Sequence, residues 1–112
     1  MSAVTVEPTE AEFQQQVIDL AHLLGWKHLH VRRTIGRKNQ WVTSTNVKGW
    51  PDLFMWNERQ QRTIAAELKS ATGEATDEQT AVLASLAASG VPSYLWRPSD
   101  WPEIETTLRG GS

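Results

Sequence analysis

Asp52, Glu67 and Lys69 are the residues of this chain whose types and spacing could do chemistry together. They meet if the segment between them folds back on itself. Residues 52–56 (DLFMW) are a short apolar run, residues 57–62 are a polar turn, and residues 63–69 (TIAAELK) are a second run with strand character. A turn centred in 57–62 pairs Trp56 with Thr63, Met55 with Ile64, Phe54 with Ala65, Leu53 with Ala66, and Asp52 with Glu67. Directly opposed residues of an antiparallel pair point to the same face. Lys69, two residues beyond Glu67, shares that face.

Two carboxylates about 4 Å apart repel by roughly 4 kcal/mol at an effective dielectric near 20, so the pairing does not serve stability. It can serve a cation. Oxygen ligands in a chain without cysteine favour a hard divalent ion, Mg²⁺ or Mn²⁺. Such an ion activates a bound water and stabilises charge growing on a phosphoryl oxygen. Lys69 could orient that water or neutralise the phosphate as it is attacked. The plain alternative is a surface Glu67–Lys69 pair with an unrelated Asp52.

The elements that must position these residues follow from pattern. Residues 1–8 read as a flexible lead, 9–109 as a single domain, and 110–112 as a tail. Thr9 and Glu12 form a capping box, and Phe13, Val17, Leu20, Ala21 and Leu24 follow at helical spacing up to Gly25. Residues 29–33 alternate apolar and basic types, as a strand does. Residues 34–50 are polar and rich in turn formers, giving a long loop or an irregular hairpin. Thr76 and Gln79 open a second helix with another capping box, and Val82, Leu83, Leu86 and Ala87 form its inner face before Gly90. A strand over 93–97 and a helix from Ser99 or Asp100, with Trp101, Ile104 and Leu108 on one face, complete the chain. The order is α-β-β-β-α-β-α, an α/β fold with a mixed central sheet flanked by helices. The second helix is long enough for a crossover between parallel strands. Trp26, Trp56 and Trp96 read as core, and Trp50 as packing beside the Asp52 turn.

The 112 residues carry a net charge of -2, but the charge is uneven. No acid occurs between Asp19 and Asp52, whereas Lys27, Arg32, Arg33, Arg37, Lys38 and Lys48 all lie there. Such a patch can bind phosphates whatever the total charge, or it can be a solvated loop. Within it, Trp41 could stack on a base or support the loop. The absence of cysteine excludes disulfides, cysteine-ligated metals and thiol catalysis. No apolar run is long enough to span a membrane, and no secretory leader is visible.

Gly49-Trp50-Pro51-Asp52-Leu53-Phe54 followed by Ala66-Glu67-Leu68-Lys69 resembles the PD-(D/E)XK nuclease signature. With Glu12-Phe13-Gln14 and Val17, Gly25-Trp26, and Gln79 with Leu83, Leu86 and Gly90, the series is similar to the VRR-NUC family of that superfamily, over roughly residues 10–98. The resemblance implies an α-β-β-β-α-β nuclease core, here with an added C-terminal helix. It also implies metal ligation by Asp52, Glu67 and the Leu68 carbonyl, with Lys69 catalytic. Glu12 is implied to point into the metal site and Gln79 to neighbour it, although the capping boxes account for both. No core residue of the pattern is missing.

The activity expected from the resemblance is Mg²⁺- or Mn²⁺-dependent hydrolysis of DNA phosphodiester bonds. Small members resemble junction-resolving enzymes, which implies a homodimer acting on branched duplexes such as four-way junctions. Flap, fork or single-strand cleavage is the alternative among enzymes, and a non-catalytic DNA-binding module or subunit is the alternative outside them. Arg32, Arg33, Arg37, Lys38, Lys48 and Trp41 are the expected DNA contacts. A cytoplasmic location, in a bacterium or a phage-infected host, is expected, with no membrane partner and no organic cofactor.

Overall fold

A computed structural model describes residues 7–31, 33–35, 41–43 and 47–111, with backbone alone for 33–35 and 41–43. Helix α1 (Glu10–Leu23) opens on the Thr9–Glu12 capping box, and both reciprocal hydrogen bonds form. Phe13, Val17 and Ala21, spaced by four, form its buried stripe. It ends at Gly25, whose φ of 89° is open to glycine at little cost. The Gly25 and Trp26 amides return to the His22 and Ala21 carbonyls, a Schellman cap. Trp26 is thereby turned directly into the core.

The strands are β1 (Lys27–His30), β2 (Arg33–Ile35), β3 (Trp41–Thr43), β4 (Leu53–Asn57), β5 (Arg62–Leu68) and β6 (Ser93–Trp96). The main sheet has the order β1-β4-β5-β6, antiparallel at the first two interfaces and parallel at the third. Helix α2 (Asp77–Ala88) makes the crossover from β5 to β6. A 3-10 turn at Pro98–Asp100 leads into α3 (Trp101–Leu108). The expected mixed α/β fold is therefore present. The two strands β2 and β3 pair antiparallel with each other as a separate two-stranded ribbon, and of the stretch read as a long loop or irregular hairpin, residues 36–40 and 44–46 lie outside the described residues.

Three expectations are corrected. The strand read over residues 29–33 is two strands, because β1 enters its ladder as soon as the α1 cap ends, with Lys27 already opposite Trp56, and leaves it at His30. Trp56 is half-exposed rather than core. It alternates with Met55 and Asn57, which take the buried face of β4. On α2 only Gln79 is buried; Val82, Leu83 and Leu86 are half-buried and Ala87 is exposed. This helix packs mainly on β5 and β6, at one margin of the sheet.

The sheet thus has two unlike faces. Leu53, Met55, Ile64, Ala66, Leu68 and Trp96 join α1 and α3 in one apolar core, with Ile104 and Leu108 from α3. The turn end of the β4–β5 hairpin is tied to the C-terminus of α3, where the Leu108 carbonyl accepts from Trp26 Nε1 (2.8 Å) and Gln60 Nε2 (3.0 Å) and the Thr107 carbonyl accepts from Arg62. These donors satisfy carbonyls that a helix end leaves open. On the opposite face, Phe54 and Trp56 stay half-exposed and Leu29 is 53% exposed. Among the described residues no helix is long and apolar enough to cross a membrane.

The division of faces has a measurable consequence. Phe13→Ala should cost about 3–5 kcal/mol, the usual range for a buried phenylalanine. Phe54→Ala on the open face should cost clearly less. Urea unfolding of the two variants compares them, and equal losses would contradict the assignment of faces.

Candidate active site

The site forms where the β4–β5 ladder ends. The last cross-strand pair is Leu53 with Ala66. Beyond it, side chains replace the backbone ladder. The Asp52 amide donates to Glu67 Oε1 (3.1 Å), and the Leu68 amide donates to Asp52 Oδ2 (2.9 Å). Each carboxylate thus accepts from the backbone of the opposite strand end. The clasp fixes both carboxylates with their remaining oxygens, Asp52 Oδ1 and Glu67 Oε2, unused by it. The hairpin register is the one expected from the sequence, from Leu53 opposite Ala66 to Asn57 opposite Arg62.

Glu67 is 1% exposed and its Oε2 is buried without a hydrogen-bond partner. Lys69, 7% exposed, brings Nζ to 3.4 Å from that oxygen. A buried carboxylate oxygen left in this way is unfavourable by itself. Burial, then the neighbouring Asp52 charge, push the Glu67 pKa up to about 7, against the opposing pull of Lys69. A bound cation would relieve both burdens at once. The donor set is two carboxylates, with the Leu68 carbonyl at the same strand end. It suits a small hard ion that keeps several waters. Among the described residues no group of three or more Asp, Glu, His or Cys side chains gathers to cage a metal.

Glu12 stands with its carboxylate on the Thr9 amide, exposed, and this hydrogen bond holds its pKa below the usual carboxylate value. Gln79 is 1% exposed. Its Oε1 accepts from the Thr76 amide (2.8 Å), while its Nε2 is buried without a partner. Lys48 is exposed and paired with Glu78 at 3.2 Å. Arg32, Arg37 and Lys38 lie outside the described residues, as do the side chains of Arg33 and Trp41. The described residues on either side of this stretch include His30, opposite Leu53 in the main sheet, and Gly49, which leads into Asp52. Of the histidines on β1, His28 is exposed and His30 Nε2 lies 3.0 Å from Gln14 Nε2.

Trp50 stacks at a tilt on Phe54, with ring centroids 5.8 Å apart, and so does pack beside the Asp52 turn. The reason for Gly49 is visible only in three dimensions. It sits at φ 87° in the turn closed by the Trp50 amide on the Val47 carbonyl, and a Cβ there would lie 2.5 Å from the Glu78 carbonyl carbon. Only glycine lets this turn press against the first turn of α2. Arg97 was not suggested by the sequence at all, since its partners are backbone carbonyls of residues 70 and 73. A concavity lined by Leu23, Leu24, Gly25, Lys27, Asn57, Glu58 and Arg59 lies elsewhere, at the opposite end of β4.

Because the Glu67 pKa is raised on folding, the folded state is favoured below the unfolded value of 4.5 and loses that advantage as pH rises through about 7. In excess chelator, the unfolding free energy should therefore decline over this window, by about 3 kcal/mol at most. Glu67→Gln should remove this part of the slope, and Mg²⁺ should stabilise the wild-type chain more at pH 8 than at pH 5. Denaturant titrations across pH measure both; identical slopes for the two proteins would refute the coupling.

No curated protein and no solved structure shows significant similarity to the chain. The family model for the VRR-NUC domain matches residues 5–99. That span contains the clasped carboxylates, Lys69, the Gly49 turn and the crossover helix. The chain belongs to the VRR-NUC family, a PD-(D/E)XK-type family of nucleases.

Proposed function

We propose that this protein is a divalent-metal-dependent endonuclease that hydrolyses DNA phosphodiester bonds with Asp52, Glu67 and Lys69. The observation that carries the reading is the buried Glu67 Oε2, without a hydrogen-bond partner, beside Asp52 and 3.4 Å from Lys69 Nζ. Folding places charge there that nothing within the described residues fully compensates. Asp52, Glu67 and the Leu68 carbonyl would hold Mg²⁺ or Mn²⁺, and the bound ion supplies an activated water and charge stabilisation at the phosphoryl oxygen. The Asp52 and Leu68 amides keep the two carboxylates oriented before any ligand arrives. Lys69, held in a nearly dry setting, presents its ammonium toward the charge that builds on the phosphate; such a donor acts more strongly there than in water. Glu12 and Gln79 are proposed as neighbours of the site, Gln79 with an unspent amide donor and Glu12 after release from its cap.

The segment from Arg32 to Lys48 is proposed as the DNA-binding arm. Arg32, Arg33, Arg37, Lys38 and Lys48 would follow phosphates, and Trp41 would stack on a base. His30 and Gly49, on either side of this segment, lie at the end of the sheet that carries Asp52 and Glu67, which supports this role over that of a solvated loop.

The proposed substrate is branched duplex such as a four-way junction, cut by a homodimer. One chain offers one carboxylate pair and cuts one strand at a time. Resolving a junction needs two cuts, and a twofold dimer supplies two sites with matching symmetry. The open sheet face, with Leu29, Phe54 and Trp56, is apolar surface that a second copy could bury. Tyr94 and Trp101 are less suited to such a role, since both pack against the core. A second reading, cleavage of flaps, forks or single strands, draws on the same aromatics, because Trp50 and Phe54 beside Asp52 could stack on unpaired bases.

Asp52→Ala and Glu67→Ala should each abolish plasmid nicking while the fold survives, since each removes repulsion as well as a ligand. Lys69→Ala should lose cleavage but keep most metal binding, and a chelator should silence the wild-type chain. Undiminished nicking in excess chelator would overturn the metal mechanism.

Light scattering should report a dimer at micromolar concentration, and a synthetic four-way junction should be cut in preference to linear duplex. Leu29→Lys should weaken the dimer. A monomer that cuts both substrates equally would leave a general nuclease in place of a resolvase.

A further inference from the structure

The turn that follows Lys69 is gripped from outside by the Arg97 side chain. Arg97, just past the end of β6, donates through one guanidinium nitrogen to the Ser70 carbonyl (2.8 Å) and to the Gly73 carbonyl. The turn between them is closed on itself, since the Gly73 amide donates to Ser70 Oγ (3.0 Å). Arg97 is itself anchored, because its amide donates to Asp100 Oδ2 (2.9 Å) and its carbonyl accepts from the Asp100 amide. Among the described residues, its guanidinium takes part in no ion pair.

The turn closes over the Lys69 stem. A Cβ placed on Gly73 would lie 3.7 Å from Lys69 Cδ. Upstream, the Lys69 amide donates to the Trp96 carbonyl (3.0 Å), so β6 fixes the lysine backbone and the next residue of the chain, Arg97, fixes the turn covering its side chain. Lysine has a long, flexible stem with high rotamer entropy. Its ion pair with Glu67, at 3.4 Å, is too long to secure the ammonium by itself. The confinement must come from what covers the stem.

We propose that Arg97 is a positioning residue for Lys69: by clamping the Ser70 and Gly73 carbonyls it keeps the turn shut over the lysine stem and the ammonium beside Glu67. Arginine suits this task. Its planar, permanently charged fork can serve several acceptors at once, and it has no acidic partner here to draw it away. The catalytic consequence rests on the nuclease reading above, but the confinement of Lys69 does not.

The test reads the two separately. Intact chain, as wild type, Arg97→Met and Arg97→Lys, is treated briefly with an amine-acylating reagent, and each lysine is quantified by mass spectrometry. Wild-type Lys69 should be protected while Lys27 and Lys48 react. In Arg97→Met, Lys69 labelling should rise severalfold with Lys27 and Lys48 unchanged, and Arg97→Lys should fall between. In Mg²⁺-dependent nicking, kcat of Arg97→Met should drop by up to roughly 10²-fold, the loss expected of a catalytic group misplaced by about 1 Å, with KM for DNA unchanged. Unaltered Lys69 labelling in a folded Arg97→Met variant would overturn the proposal. If that variant fails to fold, Arg97→Lys is judged by the same criterion. A wild-type chain that nicks no DNA would count against the nuclease reading alone, because the labelling still decides whether Arg97 confines Lys69.

Discussion

Glu67 is a carboxylate taken almost wholly out of water, set next to a second carboxylate and given one lysine in return. Burying an ionisable group in this way works against folding unless it is paired and hydrogen-bonded throughout, and Glu67 Oε2 is not. The surrounding structure must therefore over-determine its position. Hairpin register brings Glu67 opposite Asp52, main-chain donors from each strand end seize the other's carboxylate, and α2 covers β5. Among the described residues, Gln79 Nε2 and Trp96 Nε1 are also buried without a hydrogen-bond partner, but Glu67 Oε2 is the buried atom of this kind that belongs to a carboxylate.

The stabilising core is spatially separate from the clasped carboxylates. The apolar core lies on the α1 and α3 face of the sheet, and the turn end of the β4–β5 hairpin is tied into the C-terminus of α3 by Trp26, Gln60 and Arg62. The carboxylates sit at the other end of the same two strands. Rigid strands transmit the fixed end to the reactive end. A site on strand ends is thereby held more closely than one on loops. The two segments that adjoin the site, the Gly49 turn and the turn after Lys69, are fastened separately, one by close contact with α2 and the other by Arg97.

The open half of the second face gives the molecule its remaining character. Helix α2 packs mainly on β5 and β6, and Leu29, Phe54 and Trp56 on β1 and β4 are left partly in water on the side that carries Asp52 and Glu67. Single exposed apolar residues are ordinary, but a contiguous group beside a reactive site is the kind of surface that another molecule uses. The proposed dimer and the proposed contacts with unpaired bases draw on this same surface, so its occupant bears directly on the substrate.

By itself the sequence determined the elements and the pairing that makes the site. Both capping boxes, the apolar spacing of α1 and the polar turn at 57–62 are local signals, and local backbone physics obeyed them. The hairpin register was legible because a slip of one residue would turn every apolar side chain of β4 and β5 to the wrong face. The family was legible because its motifs, from Glu12-Phe13-Gln14 through the Asp52 and Glu67-Leu68-Lys69 segments to Gly90, are written in the sequence in order. Tertiary structure alone decided what depends on which surface is covered. Trp56 looked like core by type, yet alternation along β4 put it opposite the packed face. Ala87 fitted a helical stripe, yet α2 has only a sheet margin to pack against. The burial of Glu67 and Gln79, the contact that requires glycine at position 49 and the grip of Arg97 on two carbonyls are likewise absent from any pattern of residue types. Each joins segments far apart in the chain, and a backbone carbonyl, which every residue has, leaves no mark on the sequence of the residue that offers it.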